Sequence, residues 1–212
     1  MELYLDIETV ANTNLPIDLM ADLMDRVKPD GRRKDAEASV QEKRAELIGK
    51  FALAPMTAQI IGIGTLYDGN FTYHEGKEDE IVTHFVNSIQ HMEANLRIVT
   101  FNGRSFDLPH IYLKMAKYDV LNHRFMSAAT ESRYERTRHY DVREVVTNYD
   151  PMGRGTLKQW AMFFGVDVPP DMHDGSEIQE LWDNGQFEAI KFKNKQDLHM
   201  LKQIYEKLEN VI

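Results

Sequence analysis

Short runs with strand periodicity alternate with longer amphipathic stretches along the chain. Glu2 to Asp6 reads as a short strand, and Gln59 to Leu66 (QIIGIGTL) is an apolar, β-rich run. Asp68-Gly69-Asn70 separates that run from Phe71 to His74, which predicts a hairpin. Between Asp79 and Met92, the residues Ile81, Val82, Phe85, Val86, Ile89 and Met92 fall on one helical stripe. Arg97 to Phe101 (RIVTF) follows as a buried strand, then a helix from about Leu108 to Tyr118, and a short strand near Arg138 to Tyr140. Trp160 and Trp182 lie in amphipathic helical stretches and are expected in the core. Near the end, Asp197, Leu201, Ile204 and Leu208 share one helix face, which places a carboxylate among residues that should pack on the sheet. This order predicts an α/β architecture, a mixed sheet covered by helices on both faces, in a single domain spanning 1–212.

The segment from about Asn12 to Pro55 interrupts the order as an insertion after the first strand. Its spacing of Ile17, Met20, Leu23, Met24 and Val27 predicts an amphipathic helix. It could arch over a site as a lid, with Arg32, Arg33 and Lys34 placed for phosphates, or form a solvated helical hairpin.

Composition narrows the chemistry. There is no cysteine among the 212 residues, which excludes disulfides, thiolate catalysis and Cys-ligated metals. No apolar run reaches the ~18 residues a bilayer span needs, and the N-terminus lacks the flanks of a signal peptide, so a cytoplasmic protein is expected. With 25 basic against 34 acidic residues the net charge is −9, which argues against coating nucleic acid by overall positive charge. Carboxylates that converge in one site can still serve a metal-dependent phosphodiester chemistry. Eight histidines show no HExxH spacing.

Asp6 and Glu8 stand two apart at the end of the first strand, so both carboxylates project from the same face. In TFNGRSFDLP, Asp107 follows a buried strand and a Gly-containing turn. It suits a helix N-cap, and it also lies beyond the carboxyl end of a strand, where α/β sheets build sites. Asp197, on a buried stripe, needs a partner, because an unpaired buried carboxylate is costly and a metal ion would let it stay ionised.

These three elements resemble the three exonuclease motifs of the DEDD superfamily of 3′-to-5′ exonucleases, which have a ribonuclease-H-like fold. More narrowly, the chain resembles the predicted exonucleases related to the proofreading domain of family B DNA polymerases. LYLDIETV, FALAPMTAQIIGIG, VTFNGRSFDLPHIYLKMAKY, HYDVREVV, TLKQWAMFFGV, MHDGSEIQELWDNGQFEAI and KQDLHML follow in the family's order. The resemblance implies that Asp6, Glu8, Asp107 and Asp197 bind two divalent ions, Mg²⁺ or Mn²⁺. It implies that Asn102 and Phe106 lie near a terminal nucleotide, with Thr9 at the cleft edge and Arg104 a further candidate. The implied partner is nucleic acid, single-stranded DNA or 3′ ends, with RNA an alternative and a polymerase or repair protein alongside.

One departure bears on mechanism. Such exonucleases commonly carry Tyr four positions, or His five positions, before the late Asp, and here those positions are Lys193 and Phe192. Lys193 could act as a base beside cations, and is expected rather to bind phosphate or face solvent. The alternative function is a weakened exonuclease fold that binds nucleic-acid ends as an accessory module. Arg133, Tyr134, Arg136 and Arg138 suit a single strand or a solvated loop. Thr156 and Asp141 are expected as caps, and Ser176 to Gln179 as a capping box, which assigns Asp174 and Ser176 to structure.

Overall fold

The computed structural model describes residues 1–31, 35–92, 95–150 and 152–211. The phosphate contacts expected of Arg32, Arg33 and Lys34 lie outside the described residues. Five strands, β1 (Glu2–Ala11), β2 (Ala58–Tyr67), β3 (Asn70–His74), β4 (Arg97–Thr100) and β5 (His139–Asp141), form one sheet in the order β3-β2-β1-β4-β5. β1 runs antiparallel to β2 and parallel to β4, β3 is antiparallel to β2, and β5 is parallel to β4. The mixed sheet predicted from the chain's periodicity is thus present.

Strand alternation sorts β1 into two faces. Leu3, Leu5 and Ile7 pack in a core with α3 (Glu78–Gln90), α4 (Asp107–Lys117) and α5 (His123–Ala129). Tyr4 packs on the opposite face with α7 (Leu157–Phe163) and α9 (Phe187–Glu209). Asp6 and Glu8 share the period of Tyr4, so the same alternation that builds the core aims both carboxylates at α9. Helices cover both faces. Trp160 and Trp182 are only partly buried and pack at the margins of their clusters.

The insertion forms α1 (Ile17–Asp25), α2 (Ala36–Gly49) and a 3₁₀ turn, Phe51–Leu53. The expected stripe of α1 buries none of its residues, and Ile17 is 86% exposed. The arm is held by polar contacts instead, Arg44 donating to the Met24 carbonyl and Lys43 to that of Lys28. α6 (Val142–Val146) is capped by Asp141, α7 by Thr156, and α8 (Ile178–Asp183) follows a 3₁₀ turn whose capping box is Asp174 with Glu177. That box begins two residues before the Ser176 expected from sequence, because the first turn opens at Gly175.

Pairing between β1 and β2 slips between Glu8 and Thr9, leaving Ile61 without a partner in the register. A buried ion pair compensates. Glu78 accepts the Ile60 N–H at 2.8 Å, and Lys114, which lies 2.8 Å from Glu78, donates to the Ala58 carbonyl at 2.6 Å. Both side chains are buried. Burial would raise the Glu78 carboxyl, but Lys114, Tyr118 and the Ile60 amide together hold it below its usual 4.5. Glu78→Ala should therefore lower unfolding free energy by about 3–5 kcal/mol in urea titrations, since it strands a buried ammonium. Because the folded carboxyl titrates below the unfolded one, this stabilisation is present above pH 4.5 and is lost as pH falls further. That part of the acid dependence should be missing from Glu78→Gln.

Candidate active site

The carboxylates of Asp6, Glu8 and Asp197 converge so that one oxygen from each lies within 4.8 Å of the others. Two structural accidents of the sequence make room for this. Asp6 pairs with Gly64 and Glu8 with Gly62 on β2, so the neighbouring strand offers no side chain beside either acid. A Cβ on Gly64 would lie 1.6 Å from Asn194 Oδ1, and one on Gly62 would lie 1.9 Å from the Tyr73 hydroxyl. The vacated space is filled by Asn194 from α9 and Tyr73 from β3. Asn194 donates to the Asp6 carboxylate at 2.8 Å and to the Asp6 carbonyl at 3.3 Å, which fixes the side chain and backbone of one acid together.

Asp107 stands outside that group of three and approaches β1 along its other edge. β4 pairs with β1 only as far as Tyr4, so the edge of β1 beyond it is open. The first turn of α4 fills that gap, and Asp107 accepts the Ile7 N–H at 3.0 Å. Asp107 is thus tied to the backbone between Asp6 and Glu8. It is the first residue of α4 rather than its cap, which is Phe106.

Lys193 corrects the expectation of a solvent-facing side chain. It is 7% exposed, with its ammonium 2.7 Å from Asp197 and 3.0 Å from Glu8. Its place on α9, one turn before Asp197 on the inward face, explains the burial. Burial alone would lower its pKa, but Glu8, Asp197 and Asp6 outweigh that and hold it well above the ordinary lysine value.

Burial is also the largest influence on the acids. It pushes Asp6 well up, seconded by the charge of Glu8, and raises Glu8 and Asp197 against the opposing pull of Lys193. Asp107 is pushed up to about 7, with the Ile7 N–H working against burial. Hard oxygen donors crowded in this way suit a divalent cation, which would relieve the repulsion that lifts them. Among the described residues this is the group of metal-competent side chains that converges.

The cluster borders a cleft of about 790 Å³. Thr9 and Phe106 line it, as do Ile48 and Leu53 from the end of the insertion, and Lys193. The Thr9 hydroxyl donates to the Ala52 carbonyl at 2.8 Å, pinning the insertion to the cleft edge. Asn102 and Arg104 are not among the residues that line this cleft. Asn102 accepts from Arg143 at 2.6 Å, while Arg104 bonds Glu144, the Glu131 carbonyl and His139. Asp141 accepts the Asn102 and Arg104 amides and braces that loop. Arg133 pairs with Glu144, leaving Tyr134 exposed against Tyr149.

Sequence reasoning missed Asn194 and Tyr73. Asn194 was legible as a polar residue on the buried stripe of α9, three before Asp197, but Tyr73 becomes visible only once β3 is laid beside Gly62.

Among solved structures, the family B DNA polymerase from the hyperthermophilic archaeon Pyrobaculum calidifontis superposes with a TM-score of 0.63 at 16% identity. The match covers 98% of this chain and 24% of the polymerase, so the chain spans about a quarter of that protein's length. The shared architecture is the ribonuclease-H-like one. No curated protein sequence matches the chain. A family model matches residues 52–208, a stretch that contains Asp107 and Asp197 and starts after Asp6 and Glu8. With most of its length matched, the chain belongs to the family of predicted 3′-5′ exonucleases related to the exonuclease domain of PolB.

Proposed function

We propose that the chain is a metal-dependent 3′-to-5′ exonuclease that hydrolyses the terminal phosphodiester bond of single-stranded DNA or an unpaired 3′ end and releases nucleoside 5′-monophosphates. The observation that carries this reading is the convergence of Asp6, Glu8 and Asp197 within 4.8 Å, from positions far apart in sequence, beside an open cleft. Asp6, Glu8, Asp107 and Asp197 would supply the ligands for divalent metal, Mg²⁺ or Mn²⁺. Bound ions of this kind lower the pKa of water and stabilise the oxygen that leaves.

The protein's own share is positioning. Asn194 holds Asp6, the Ile7 amide holds Asp107, and Lys193 holds Glu8 and Asp197 in register. Phe106 gives the cleft an apolar wall beside the acids, suited to a base or sugar, and Leu53 and Ile48 add exposed apolar surface from the insertion. Because the chain is acidic overall, long-range attraction to DNA is weak, and affinity rests on the cleft.

A time course on 5′-labelled single-stranded DNA with Mn²⁺ should show a descending ladder that chelator abolishes. Asp6→Ala should slow it by at least about 10³-fold, roughly 4 kcal/mol of barrier. Intact DNA beside degraded RNA would move the assignment to RNA trimming, and end binding without cleavage would favour the accessory-module reading that Lys193 motivates. Asn194→Ala should weaken Mn²⁺ affinity or activity by about 10–100-fold, since it frees Asp6 without removing a carboxylate. Unchanged values for that variant would remove Asn194 from the site.

A further inference from the structure

The position of Lys193 among the acids bears on how many ions the site can take. Its ammonium stands between Glu8 and Asp197, in contact with both, at 3.0 and 2.7 Å. Its side chain is 9% exposed and lies at the wall of the cleft. An ammonium offers three donors and no lone pair, so it shares carboxylate oxygens with a cation only by competing for them. Glu8 Oε1 and Asp197 Oδ2 are therefore already held by a resident positive charge.

Charge makes the same point. The three clustered acids and the ammonium together leave two negative charges, which one divalent ion balances and a second would overshoot by two in a buried site, where like charges interact strongly. With one ion the three clustered acids and the lysine are neutral together. From this geometry we infer that Lys193 takes the place of one divalent ion, so that the substrate-free protein binds a single Mg²⁺ or Mn²⁺ through Asp6 and its neighbours, with Glu8 and Asp197 occupied by the lysine. Asp6 is free to do so, because its partner is the neutral amide of Asn194. Lys193 acts here as a positioning residue and a fixed counter-charge.

The inference rests on the metal-dependent reading above, but it is tested by counting ions, not by cleavage. Metal-free protein is titrated with Mn²⁺ and the free ion followed by electron paramagnetic resonance. The wild type should bind about one Mn²⁺ per chain and Lys193→Met about two, the added ion at least about tenfold tighter than any second ion in the wild type. Thermal melts with and without Mn²⁺ check that the variant is folded, and the wild-type count decides the matter alone if it is not. Two ions of similar affinity in the wild type would overturn the inference, as would a folded Lys193→Met that binds only one. If neither protein binds Mn²⁺, the metal site itself falls, and this inference with it. A count of one and two in a protein that cuts no nucleic acid would support the lysine's role while removing the exonuclease assignment.

Discussion

Three carboxylates with oxygens within 4.8 Å of one another, at the border of a protein interior, repel each other strongly unless positive charge is brought among them. Every local feature of the site answers that repulsion. Lys193 supplies a positive charge from within the same helix that contributes Asp197. Asn194 and the Ile7 amide supply donors to Asp6 and Asp107, which favour the ionised forms without adding charge. What these groups leave unbalanced is the property that makes the cluster a place for a divalent ion. A cluster of this kind is costly to keep if all it does is hold the fold together.

The acids are positioned by elements that have structural reasons of their own. Alternation along β1 puts Asp6 and Glu8 on the face of α9 because Leu3, Leu5 and Ile7 claim the other. Gly62 and Gly64 give up side chains on the neighbouring strand, and that allows Asn194 and Tyr73 to close over the sheet. The early end of β4 leaves a backbone donor on β1 that only the first turn of α4 reaches. The register slip after Glu8 is braced by Glu78 and Lys114, which bond the backbone of the neighbouring strand at Ile60 and Ala58.

Much of this was legible in the chain. The succession of strands and helices along the chain, the α3 stripe and the late helix follow from periodicity, and Asp197 stands out as a charge on an apolar face. Lys193 was misread because its i,i+4 spacing to Asp197 is visible in sequence but its bond to Glu8, 185 positions away, is not. Arg104 is a further candidate in sequence, but its partners, Glu144, the Glu131 carbonyl and His139, all come later in the chain and are not legible from the NGRSFD motif. The stripe of α1 has the spacing of a core helix, yet the arm buries none of it, since periodicity shows that a face exists and not what covers it. The family match begins after β1, so the first two acids join the site through the sheet pairing and not through the matched stretch.

The central claim is that this carboxylate cluster holds a divalent cation, and crystals soaked in Mn²⁺ test it most directly. An anomalous-scattering map should show Mn²⁺ in contact with the Asp6 carboxylate and should lose that peak in Asp6→Asn. A wild-type map with no ion at the cluster, or the same peak retained in Asp6→Asn, would contradict the account.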